Sequence, residues 1–186
     1  AAYWRSRAGE SPVAPDASLG HGANYLHMLT GQAVDPDFAR AASFLGYAHG
    51  SLGQDALAVR AFRDALRVTP NDAATLFELG FILHRQKQLR EAIEAFEKAV
   101  ALKRNLDRAW YGLGLALIRQ QRFDEAVAAL KRNTELQPMS PYGWYQLARV
   151  HIDRHEPEEA RKIIRHLKKF EPKVAAQLER ETGLQP

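Results

Sequence analysis

Apolar residues recur three and four apart along most of the chain, and short polar turns separate the stretches. That spacing predicts amphipathic helices. The pattern also repeats as a whole every 34 residues. Pro36, Pro70, Pro138 and Pro172 share one register, broken only by Arg104. Each of these slots closes an apolar-periodic stretch, where proline stops a helix. Ala58, Ala92, Ala126 and Ala160 form a second column, and Leu45, Leu79, Leu113 and Leu147 a third. Gly46, Gly80, Gly114 and Ala148 follow the leucines, and Phe62, Phe96, Leu130 and Ile164 come four residues after the alanines.

Each column has a packing reason. A small residue after the leucine lets one helix lie close on its partner, and the alanine does the same from the second helix. The large residue lies one turn further along the same face, where it fills the space between repeats. One helix pair buries too little alone, and stacking completes the core. The periodicity places helices at about 39–52 and 56–69, 73–86 and 90–103, 107–120 and 124–136, and 141–154 and 158–169. Asp72 and Ser140 suit N-caps, Pro141 and Pro157 suit first-turn positions, and Asp124-Glu125 and Glu158-Glu159 suit helix starts. Gly53 marks the turn inside the first repeat.

These columns resemble the tetratricopeptide repeat. Trp110-Tyr111-Gly112-Leu113-Gly114 and Arg122-Phe123-Asp124-Glu125-Ala126 match the family pattern almost word for word. The resemblance covers residues 39 to 172 and implies an all-α, right-handed α-α superhelix with a C-terminal capping helix. The expected organisation is a leader or linker at 1–18 and a degenerate half-repeat helix at 19–38. Four repeats follow at 39–72, 73–106, 107–140 and 141–172, and a capping helix and tail at 173–186. Asn133 and Leu167 depart from the family's alanine at position 27, and His49, Leu83, Leu117 and His151 from its frequent tyrosine at position 11.

In that family the first helices line a concave surface, with positions 2, 5, 9 and 12 facing inward. The resemblance maps these onto Arg40, Ser43, Tyr47 and Gly50, then Ala74, Phe77, Phe81 and His84. Arg108, Tyr111, Leu115 and Ile118 follow, then Tyr142, Tyr145, Arg149 and Ile152. Arg40, Tyr47, Phe77, Phe81, His84, Arg108, Tyr111, Leu115, Tyr142, Tyr145 and Arg149 are the expected partner-binding groove, since tyrosine, phenylalanine and arginine carry binding hot spots. The family's clamp for chaperone tails does not fit. Its slots hold Ser43, Tyr47, Glu78, Arg108 and Gly112, and Glu78 would repel a carboxylate.

Composition narrows the picture. The 186 residues include no cysteine, which excludes disulfides, thiolate metal sites and a cysteine nucleophile. The formal net charge of +4 favours an acidic partner and falls short of the basic stripe of a nucleic-acid binder. His151 and His155 stand four apart but lack a third ligand column, so no metal is expected. No nucleophile motif or phosphate loop appears, so neither catalysis nor a cofactor is expected. Tyr3-Trp4-Arg5-Ser6-Arg7 would suit the edge of a removed membrane anchor, or an ordinary segment boundary. The basic stretch Arg161, Lys162, Arg165, His166, Lys168 and Lys169 is read as a solvated face, with anionic lipid or an acidic partner as the other reading. The leading expectation is a non-catalytic scaffold that binds a protein or peptide, acidic with apolar anchors, in the groove. The alternatives are a structural subunit of a larger, membrane-attached complex, and self-association. The compartment stays open.

Overall fold

The computed structural model describes residues 36–184, and the expectations for the leader and most of the half-repeat helix lie outside them. The described residues form nine α-helices and no strand. They are α1 (Pro36–Ser51), α2 (Asp55–Val68), α3 (Ala73–Arg85), α4 (Leu89–Leu102) and α5 (Asp107–Arg119). Then come α6 (Phe123–Leu136), α7 (Pro141–Asp153), α8 (Pro157–Leu167) and α9 (Pro172–Thr182). Boundaries fall within three residues of those read from periodicity. Pro36 and Pro172 open helices instead of closing them, a position where the missing N–H costs nothing. Asp72 caps α3 by accepting from Ala74 N at 3.1 Å. Ser140 stands at the N-cap of α7, yet its side chain makes no capping bond there.

α1 packs most extensively on α2, α3 on α4, α5 on α6 and α7 on α8. The columns explain how. The alanines at 58, 92, 126 and 160 are fully buried. A Cβ on Gly46 would lie 2.6 Å from Phe62, one on Gly80 2.9 Å from Phe96, and one on Gly114 2.7 Å from Leu130. Phe96 also meets the next repeat, since a Cβ on Gly112 would stand 2.6 Å from its ring. One aromatic ring therefore locks two repeats, as the column reading expects. The leucine column holds for Leu79, Leu113 and Leu147, while Leu45, at the N-terminal end of the described array, is half exposed.

Departures from the family pattern are compensated locally. Asn133 is buried and donates from Nδ2 to the Asp107 carbonyl at 2.9 Å. A Cβ on Gly143 would stand 2.1 Å from its Oδ1, so the larger residue on α6 requires glycine on α7. Where Arg104 replaces proline, Trp110 Nε1 donates to the Arg104 carbonyl at 2.9 Å, and Trp144 makes the equivalent bond to Pro138. Gly53 turns with φ +72°, and Lys87, Gln121 and His155, at the same register, share that left-handed conformation. His151 is buried with Nδ1 2.7 Å from Glu156 Oε2, as His49 is paired with Gln54.

The first helices of consecutive pairs pack backbone to backbone, α1 with α3, α3 with α5 and α5 with α7, whereas the backbones of α2, α4, α6 and α8 stand further apart, with α2 and α4 meeting through the Arg63–Glu91 ion pair at 2.5 Å. Helices crowded on one side and spread on the other bend the stack, with the first helices inside. α9 contacts both α7 and α8, burying Ala175 and Leu178, and so covers the last apolar surface while extending the inner row. Gly183 ends it at φ +68°.

Candidate functional site: the inner face

At the N-terminal end, Arg40, Ser43 and Tyr47 of α1 line a cavity of about 370 Å³ with Asp72, Ala74 and Thr75. Ser43 Oγ lies 2.9 Å from Thr75 Oγ1, and Tyr47 Oη donates to Glu78 Oε1 at 2.6 Å. Burial, the hydrogen bond to Glu78 and its negative charge push the Tyr47 phenol up to about 12. Arg40 is exposed beside Asp37, 3.5 Å away. Gly50 is buried against Ile82 and its carbonyl accepts from Arg85, so it builds the floor and offers no surface.

Phe77 is buried at 6% exposure, tilted against Phe96, and the Arg108 guanidinium covers its ring at 4.8 Å from the centroid. It supports the face from beneath and does not line it, because the Arg108 stem and head fill the space above. Phe81, one turn on, is 47% exposed. Ala74 is exposed, and His84 is half-buried with Nε2 enclosed and without a hydrogen-bond partner among the described residues. Burial, then the nearby Arg119 charge, lower the His84 pKa, so the neutral ring is favoured there.

On α5, Tyr111, Leu115 and Ile118 are half-buried. Burial raises the Tyr111 phenol, and a hydrogen bond to Gln146 opposes it. On α7, Tyr142 is 71% exposed, Ile152 is half-buried, and Tyr145 donates to Glu181 Oε2 at 2.6 Å. Arg149 donates to the Tyr145 phenol oxygen at 3.4 Å. Among the described residues Arg108 and Arg149 make no ion pair, whereas Arg85 is bound to Asp55 and Arg154 to Asp124 and Glu156. Glu78 and Glu181 were not foreseen as phenol partners. The buried position of Glu78 on an apolar helix face was a usable signal; α9 lies off the repeat register and gave none for Glu181.

Among the described residues no group of three or more His, Cys, Asp or Glu side chains could hold a metal ion, and no helix is long and apolar enough to cross a membrane.

The architecture defined above is an all-α helical-repeat superhelix. The family model for the tetratricopeptide repeat matches residues 45–106, and that for anaphase-promoting complex, cyclosome, subunit 3 matches residues 85–167. The chain is a tetratricopeptide-repeat protein. A search among curated proteins finds no match. A crystal structure of MamA is 21% identical, with a TM-score of 0.71 over 88% of this chain and 99% of that one. YrrB, described as a TPR protein with an unusual peptide-binding site, is 22% identical with a TM-score of 0.70, covering 76% of this chain and 74% of its own. The first TPR of Spaghetti (RPAP3), bound to the HSP90 peptide SRMEEVD, is 21% identical with a TM-score of 0.64, covering 66% and 97%. At such identities the likeness is one of fold. The fold is that of a protein-interaction scaffold.

Proposed function

We propose that this protein is a non-catalytic scaffold whose inner face holds an extended, acidic partner segment with a few large apolar side chains. One observation carries the reading. Phe81 and Tyr142 stand 47% and 71% exposed on the row of first helices, interleaved with Arg108 and Arg149, which make no ion pair among the described residues. Aromatic rings offer rigid area for apolar anchors, and unpaired guanidiniums offer forked donors to carboxylates. Tyr111 and Leu115 extend the apolar strip between them. The peptide seen with Spaghetti carries two glutamates and an aspartate beside methionine and valine, which fits this chemistry. The chaperone-tail clamp itself is not reproduced, because Ser43, Tyr47, Glu78 and Gly112 stand in four of its slots.

The test is binding of a fluorescein-labelled peptide of alternating glutamate and phenylalanine, followed by anisotropy. Binding that weakens with Phe81→Ala, Arg108→Ala or Tyr142→Ala supports the inner face. Binding that ignores all three overturns it.

The match of residues 85–167 to a complex-subunit family favours a second reading, a permanent structural subunit. Its contacts would run through the outer, basic α8 and the turn after it, where Arg165 and Lys169 make no ion pair among the described residues. Charge reversal at Lys162, Arg165 and Lys169 would then disturb assembly more than any inner-face change.

A further inference from the structure

We propose that the C-terminal end of the inner face is a binding surface for a carboxylate side chain of the partner, and that Glu181 of α9 occupies it in the free protein. The proposal rests on the acidic-segment reading above and adds where one acidic side chain docks and what it must displace.

Tyr145 and Arg149 lie one turn apart on α7, so their donors converge on one side of the helix. The Tyr145 hydroxyl donates to Glu181 Oε2 at 2.6 Å, and Gln177 Nε2 donates to Glu181 Oε1 at 2.7 Å. Arg149 reaches only the phenol oxygen, at 3.4 Å, with its guanidinium 5.9 Å from the ring centroid. The strongest donor at this spot is therefore not spent on the carboxylate beside it. An incoming carboxylate can take Arg149 in a forked, two-bond pair that Glu181 does not make.

The internal contact is built to exchange. Glu181 is exposed on the last turn of α9, and an exposed pair of this kind contributes little. α9 is anchored elsewhere, through Ala175 and Leu178 at 0% exposure. Glu181 can therefore leave by rotating its own side chain, with the helix in place. The hydrogen bonds from Tyr145 and Gln177, then the charges of Arg149 and Arg180, hold the Glu181 carboxyl below its ordinary range, so the occupant is charged. A resident carboxylate reduces the fraction of molecules with an open surface, and the apparent affinity falls by that fraction.

The whole chain is titrated with the labelled glutamate–phenylalanine peptide and with a control peptide carrying glutamine for every glutamate. Glu181→Ala is expected to tighten the acidic peptide about three- to fivefold, the size of a weak exposed contact removed, and to leave the control unchanged. The gain should vanish when Arg149→Ala is added, and melting curves establish that each variant is folded. Equal or weaker binding of the acidic peptide by Glu181→Ala overturns the proposal. If Tyr111→Ala weakens binding while Glu181→Ala leaves it unaltered, the inner face remains the binding surface and the occupancy by Glu181 is wrong. If neither the parent nor Glu181→Ala binds the acidic peptide, both readings fall.

Discussion

Two tyrosines on the inner face each donate to a glutamate at 2.6 Å, Tyr47 to Glu78 and Tyr145 to Glu181, and their surroundings differ. Glu78 is 8% exposed, between α1 and α5 in a layer where Phe77 packs on Phe96 and Arg108 covers Phe77. Glu181 is exposed at the end of the array, with Arg149 close but uncommitted. The same bond thus has two uses. At Glu78 it satisfies a buried carboxylate that could not be left alone, although Tyr47 is itself 51% exposed. Exposed, it is one of several arrangements the donors can adopt. The difference separates a buried glutamate that serves the packing of the repeats from an exposed one that, in the proposed scaffold, a partner could displace.

The largest expected effect breaks the packed side outright. Ala92 has no exposed surface, and Ala92→Trp should cost roughly 3 kcal/mol or more by overpacking. Thermal melting equal to the parent would show that the alanine column is not a close contact. Glu78→Ala should cost about 1–3 kcal/mol, because the Tyr47 hydroxyl loses its acceptor in a half-closed setting. Denaturant unfolding measures it, and a loss near zero would place Glu78 with Glu181 as an exchangeable partner. On the open side, Tyr111→Ala or Arg149→Ala should weaken partner binding by about 1–3 kcal/mol, and Arg149→Ala should leave the melting temperature nearly unchanged. Calorimetric titration with parallel melting curves distinguishes loss of contact from loss of fold. The smallest effect is Glu181→Gln, expected to leave the melting temperature where it is; a clear drop would make that contact structural.

His84 sharpens the same contrast through pH. Its folded pKa is lowered, so the unfolded chain binds the proton more readily. Its contribution to stability is present above the ordinary imidazole range and is lost as pH falls through that range. His84→Leu should flatten the fall in melting temperature between neutral and mildly acidic pH; an unchanged slope would place the burial effect elsewhere.

The repeat was legible because its causes are local and written four times. Ala58, Ala92, Ala126 and Ala160 are fully buried, and Gly46, Gly80 and Gly114 lie against Phe62, Phe96 and Leu130, so period and composition alone exposed the packing. The site was legible only as a face. Phe77 and Phe81 occupy equivalent turns of one helix, yet one is covered and the other open, because Arg108 of the next repeat folds over the first. The Asn133–Gly143 exchange and the Tyr145–Glu181 contact join residues of different repeats, where no single-repeat pattern records the pairing. Lys87, Gln121 and His155 hid their left-handed turns because only Gly53 carries the residue that advertises one.

The most direct measurement is a backbone and side-chain NMR titration of the whole chain with the acidic glutamate–phenylalanine peptide. A scaffold that binds through its inner face predicts shifts concentrated at Phe81, Arg108, Tyr111, Tyr142 and Arg149. Shifts confined to Lys162 and Arg165 of α8 and Lys169 in the turn after it, with the inner face silent, would contradict it.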